Sequence, residues 1–138
     1  MSNGVLVFDG SNGAAESIGM NRESSYMAEL LNREVKLVGS LDEARSYIGP
    51  ESEKKFSLLI TEPFMYAGGG PRLVKYQQFL KSVKEEGKNS VVIWSSQSED
   101  SIQNNYGLEK GVHYDAYSTK MSRRPAADLV ESLEGLLG

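Results

Sequence analysis

Short runs of β-branched and aliphatic residues alternate with stretches of helical period along this chain, and that alternation limits the possible folds more than any other feature. Val5 to Phe8, Val35 to Val38, Phe56 to Ile60, Val91 to Trp94 and Val112 to Tyr117 read as strands. A helical stretch follows each. The first begins near Ser24 with Met27, Leu30 and Leu31 on one face, and an Arg33-Glu34 turn leads to the second strand. Ser40 and Glu43 have capping-box spacing ahead of a helix carrying Leu41, Ala44 and Ile48, which Gly49-Pro50 stops. Leu73, Tyr76, Leu80 and Val83 recur at three and four residues, with Gly87 as the terminating glycine. From Ser98 to Leu108 the signal is weakened by Asn104, Asn105 and Gly107, so a short or mobile helix is expected. The last helix has Pro125 in its first turn and a stripe of Ala126, Leu129, Val130, Leu133, Leu136 and Leu137 to pack on the sheet.

Strict alternation of strand and helix implies right-handed crossovers and a parallel sheet covered on both faces. The first, third and fourth strands are apolar enough to be central, whereas Lys36 in the middle of the second suits an edge. The expected architecture is a doubly wound α/β sheet in the order 2-1-3-4-5. Its functional crevice lies beyond the carboxyl ends of the strands, at the switch point between the first and third. With 138 residues, 39% of them hydrophobic, the chain is expected to be one domain spanning 1–138. Gly10 to Glu23 reads as a long Gly/Ser/Asn-rich loop within it. A net charge of −4 gives no attraction to phosphate backbones or anionic lipid, so neither nucleic acid nor membrane is an expected partner. The absence of cysteine removes disulfides, thiolate metal sites and thiol nucleophiles together. The longest apolar runs hold about five residues against the roughly 20 that span a bilayer, and no secretion signal is visible, so the expected location is the cytoplasm.

The residues at the expected carboxyl ends can be read off directly. The first strand ends in Asp9-Gly10, the third in Thr61-Glu62, the fourth in Ser95-Ser96, and the fifth leads to Ser118-Thr119-Lys120. Two carboxylates, a hydroxyl and an ammonium are expected to converge on one rim. Such a set suits an oxyanion or a hard cation. The plainer reading makes Lys120 a surface ion-pair partner of Asp9 or Glu62.

Four segments in this order resemble the receiver domains of two-component response regulators. Val5-Leu6-Val7-Phe8-Asp9 is similar to the first receiver strand with its acidic end, Gly10 standing where a second acid is usual. Leu58 to Gly70 is similar to the strand, phosphoacceptor and Gly-ended turn, and Glu62 falls on the phosphoacceptor position. Val92-Ile93-Trp94-Ser95-Ser96 resembles the strand carrying the switch hydroxyl, Ser95. In Asp115-Ala116-Tyr117-Ser118-Thr119-Lys120, Tyr117 takes the switch-aromatic position and Lys120 that of the phosphate-sensing Lys. The resemblance implies a flavodoxin-like fold, a signalling role, and a protein partner on the face built from the fourth helix, fifth strand and fifth helix. Gln103, Tyr106, Tyr114 and Tyr117 are the residues expected on that surface.

The departures from the family pattern bear on its chemistry. Glu62 is one methylene longer than the family's Asp, and misplacement by about 1 Å can cost on the order of 10²-fold in rate. Gly10 removes an expected Mg²⁺ ligand and leaves Asp9 and Glu62, so metal binding is expected to be weak or lost and no other cofactor is implied. Met121 stands where the family has Pro. A Glu at the acceptor also imitates part of the phosphoryl group's charge of about −1.5 to −2. The expected function is a non-enzymatic, atypical receiver acting as a protein-interaction module, with no catalytic residues and no usual phosphorylation.

Two alternatives remain at this stage. One is a nucleotide or small-molecule binder resembling universal stress proteins through Asp9-Gly10-Ser11, although Ser95 to Asp100 lacks that family's Gly-rich phosphate motif. The other is a receiver still phosphorylated at Glu62 or Asp9. Gly68-Gly69-Gly70-Pro71 reads as a turn and not a phosphate loop, because no Gly-Lys-Ser/Thr follows. His113 reads as a mid-strand surface residue, and Arg123-Arg124 as a solvated pair. Phe64, Met65 and Tyr66 read either as interface or as packing beneath the third helix.

Overall fold

Val5, Leu6, Val7 and Phe8 are all buried, a pattern possible only for a strand covered on both faces. The computed structural model describes residues 4–9, 25–48, 56–86 and 89–137. The strands are β1 (Gly4–Asp9), β2 (Val35–Val38), β3 (Phe56–Glu62), β4 (Ser90–Ser95) and β5 (Ala116–Thr119), forming one parallel sheet in the order β2-β1-β3-β4-β5. The helices are α1 (residues 25–31), α2 (Leu41–Tyr47), α3 (Gly70–Glu85), α4 (Glu99–Tyr106) and α5 (Pro125–Leu137), with a single 3₁₀ turn at Phe64–Tyr66. This is the flavodoxin-like doubly wound order expected from the alternation. β2 is the half-buried edge, and its Lys36 lies over the Tyr47 ring, 4.9 Å from the centroid.

Strand alternation divides the core in two. Leu6, Phe8, Leu59, Val91 and Ile93 face α2, α3 and α4, where Ala44, Tyr76, Phe79, Leu80, Val83, Ile102 and Tyr106 meet them. Val5, Val7, Leu58, Ile60, Val92 and Trp94 face α1 and α5, where Met27, Ala126, Leu129 and Leu133 meet them. Phe8 makes edge-to-face contacts with Tyr76 and Phe79 at 6.1 and 6.3 Å, and Tyr66 stacks on Tyr76 at 4.4 Å. Tyr66 therefore packs beneath α3 while Phe64 is exposed. Lys84 on α3 pairs with Asp115, whose other oxygen accepts from the Val91 amide at 2.8 Å, tying α3 to the β4–β5 edge.

Local chemistry explains the helix ends. Ser40 and Ser98 each cap their helix, accepting from the amides of Glu43 and Ser101 at 3.2 Å. α4 is indeed short, ending at Gly107 in the left-handed conformation (φ 61°). Gly69 and Gly70 both have positive φ, so the glycine run is a turn that most other residues would strain.

Three expectations need correction. β5 begins at Ala116, not Val112: Val112 and His113 donate their amides to Glu109 O at 3.1 and 2.9 Å, and this closed turn takes the backbone groups a strand would need. His113 is accordingly a turn residue whose Nδ1 accepts from the Glu109 amide at 3.0 Å. Burial lowers its pKa, against the opposing pull of Glu109. On α1, Met27 is buried and Leu31 half-buried but Leu30 is exposed, because the apolar stripe is narrower than its spacing suggested. Ser24, Gly10 to Glu23, Gly49-Pro50 and Gly87, with the side chains of Met65 and Leu137, lie outside what is described.

Gly107 combines a positive φ with a close neighbour. A Cβ there would meet Gln77 Nε2 at 3.0 Å, and that atom donates to Tyr106 O at 2.7 Å. Gly107→Ala is expected to destabilise by about 1–2 kcal/mol in urea unfolding, from the left-handed backbone plus the displaced hydrogen bond. A change below about 0.5 kcal/mol would show that the turn tolerates a side chain.

Candidate functional site at the carboxyl rim of the sheet

Parallel pairing in register brings the ends of β1 and β3 together, with Asp9 opposite Glu62. By strand alternation both side chains follow Val7 and Ile60 to the α1/α5 side of the sheet. Both are buried: Glu62 is 6% exposed, and the Asp9 side chain 5%. A carboxylate so far from water needs compensation. Lys120 supplies it, with Nζ 2.9 Å from Asp9 Oδ2 and 5.2 Å from the centroid of the Trp94 ring. The Lys120 amide donates to Ser95 O at 2.8 Å, which anchors the start of the β5–α5 connection to the end of β4. Three of the expected site residues, Asp9, Glu62 and Lys120, are therefore assembled at one place.

The hydroxyl and aromatic groups lie on the other side of the sheet. Ser95 follows Ile93 toward α4, is fully buried, and accepts from the Gln97 amide at 3.0 Å. Tyr117 is half-buried against the same core, and its hydroxyl donates to the Gln97 carbonyl. Thr61 shares a 2.7 Å hydrogen bond with the Tyr76 hydroxyl. Burial, opposed by that bond, pushes the Tyr76 pKa well above its ordinary value.

The expected partner surface is corrected in two of its four members. Tyr106 is 1% exposed and Tyr114 is fully buried, because both rings fill the layer beneath α4. The Tyr114 hydroxyl donates to Glu99 Oε2 at 2.7 Å and accepts from Gln103 Nε2 at 2.8 Å. Burial and the Glu99 bond push the Tyr114 pKa up to about 12. Gln103 and Tyr117 are half-buried, and the open positions on α4 are Asp100, Asn104 and Asn105. Arg123 and Arg124 are exposed, as expected. Met121 is 75% exposed, and no cis peptide occurs among the described residues. Gly10 lies outside them.

Two participants were invisible in the sequence. Trp94 read as strand core, and nothing in its surroundings marked its ring as a seat for Lys120. Gln97 is one polar residue in the polar run Ser95 to Asp100, and only the fold shows that it is turned inward.

A crystal structure of a two-component response regulator from Clostridium difficile superposes on this chain with a TM-score of 0.63, covering 99% of this chain and 96% of that one. This chain has the receiver fold. Sequence identity over that likeness is 14%, so what it establishes is the arrangement of strands and helices. No family model and no curated protein matches the sequence. Within the receiver fold, Asp9, Glu62 and Lys120 occupy the carboxyl rim at the β1/β3 switch point.

Removing one partner from a mostly buried ion pair takes away part of what compensates the other charge. Lys120→Ala is expected to cost about 2–3 kcal/mol in chemical denaturation, against under about 0.5 for the exposed Lys75→Ala. Equal, small losses would show that the pair contributes nothing to the fold.

Proposed function

We propose that this chain is an atypical receiver-fold module that works in two-component-type signal transduction by binding a protein partner, without phosphoryl transfer at its rim. The observation that carries this reading is the Lys120–Asp9 pair, in which the ammonium already occupies a carboxylate oxygen that a metal would need. Mg²⁺ demands near-ideal octahedral oxygen coordination at about 2.0–2.1 Å. The donor set here does not fit it: Asp9 is engaged by Lys120, Glu62 carries an extra methylene, and Gly10 brings no side chain. Among the described residues no group of three acidic or imidazole side chains gathers at one point.

A Glu at the acceptor position adds a fixed negative charge to the rim, weaker than a phosphoryl group's. With no charge to gain or lose there, Ser95 and Tyr117 hold one arrangement, and output is set by partner availability. The proposed partner surface is the α4–β5–α5 face. Exposed groups on its two helices include Asp100, Asn104 and Asn105 on α4 and Asp128, Glu131 and Ser132 on α5, while Gln103 and Tyr117 are half-buried. This acidic and amide-rich face suits a partner with basic and hydrogen-bonding groups. No helix among the described residues is long and apolar enough to cross a membrane. The nucleotide-binding alternative finds no support at the β4–α4 loop, where the Gln97 amide and carbonyl are taken by Ser95 and Tyr117.

Incubation with Mg²⁺ and acetyl phosphate is expected to leave the intact mass unchanged. A stoichiometric, hydroxylamine-labile gain of one phosphoryl group, mapped to Glu62 or Asp9, would overturn the proposal in favour of a working receiver. Saturable amide shifts on adding ATP in place of the phosphodonor would overturn it in favour of a nucleotide binder.

A further inference from the structure

Gln97 sits between two exposed serines, Ser96 and Ser98, yet is itself half-buried and uses three of its polar groups at once. Its amide donates to Ser95 Oγ at 3.0 Å, its Nε2 donates to the Tyr106 hydroxyl at 2.7 Å, and its carbonyl accepts from the Tyr117 hydroxyl. One loop residue thereby joins the end of β4, the middle of β5 and the last residue of α4. Helical side chains lean toward the helix N-terminus, which is how Tyr106 reaches back toward the residue just ahead of α4. Tyr106 is not free to yield: its ring is buried, and its carbonyl accepts from Gln77 Nε2 at 2.7 Å.

We propose that the Gln97 side chain is a latch: by holding the buried Tyr106 hydroxyl it fixes the β4–α4 loop, and through the Gln97 carbonyl it keeps Tyr117 packed against the core. Gln97 acts as a positioning residue, through Tyr117 and the loop. Opening the latch leaves the Tyr106 hydroxyl inside the α4 layer without another partner among the described residues, and this disfavours the open loop. It also moves the acceptor on which the Tyr117 hydroxyl depends. The three groups therefore change state together, and a partner seated on the α4–β5–α5 face reads a surface set by Gln97. That last consequence rests on the interaction reading above; the latch itself does not.

The test compares Gln97→Ala, Gln97→Glu and Tyr106→Phe with the parent chain by amide hydrogen exchange and tyrosine ring resonances. Gln97→Ala is expected to speed exchange of the residue-97 amide by on the order of tenfold and to shift the Tyr117 ring signals, while the β1 and β3 amides keep their protection. Tyr106→Phe preserves ring packing and should reproduce that loop effect, so the test survives if Gln97→Ala fails to fold. Gln97→Glu should restore protection, because its carboxylate accepts from the Tyr106 hydroxyl. Unchanged exchange at residue 97 in both Gln97→Ala and Tyr106→Phe, or acceleration only in step with the β1 and β3 amides, would overturn the latch. No phosphodonor or partner enters the measurement. Failure of the latch thus leaves the interaction reading standing, and phosphorylation at the rim would sink that reading without touching the latch.

Discussion

A buried carboxylate paired with an ammonium organises the rim of this molecule. Asp9 and Glu62 are brought side by side by strand register, so two negative charges meet where water is largely excluded. Lys120 is the cation seen beside them, held by Asp9 Oδ2 and by the face of Trp94. The pair also closes a long loop in the chain, because it links the end of the first strand to the residue after the last.

The sheet keeps this charged site apart from the surface proposed to meet a partner. Asp9 and Glu62 point toward α1 and α5, whereas Ser95 and Tyr117 point toward α4. What links the two sides is Ser95: its carbonyl holds the Lys120 amide, and its hydroxyl holds the Gln97 amide. The same strand ends thus fix both the ion pair and the loop. Those hydrogen bonds are the link seen between the rim and the α4 face among the described residues.

The fold was legible because parallel strands buried on both faces write continuous apolar runs, as in Val5 to Phe8 and Val91 to Trp94, and their order followed from alternation plus one edge lysine. The miss at Val112 to Tyr117 has a physical cause. β-Branched and aromatic residues mark a strand only where backbone groups remain free to pair, and here the Glu109 carbonyl captures two amides first. The site was legible as chemistry, since carboxylates and a lysine at strand ends could be listed, but its pairing was left open between Asp9 and Glu62. The tyrosines misled for a related reason: Tyr106 on a short polar helix and Tyr114 just ahead of β5 read as surface, whereas both fill the core and send their hydroxyls to polar partners. Gln97 carried no signal, because a hydrogen bond nine residues away in sequence leaves no local pattern.

The competition between ammonium and metal for the Asp9 carboxylate is open to direct measurement by titrating Mg²⁺ into the folded chain and into Lys120→Ala while following the amides of Thr61, Phe64 and Met121. The parent chain is expected to show no saturable shifts up to about 10 mM, and Lys120→Ala to acquire them once the Lys120 ammonium no longer holds Asp9 Oδ2. Saturable binding to the parent chain below about 1 mM would contradict the ion pair as the group that satisfies this site.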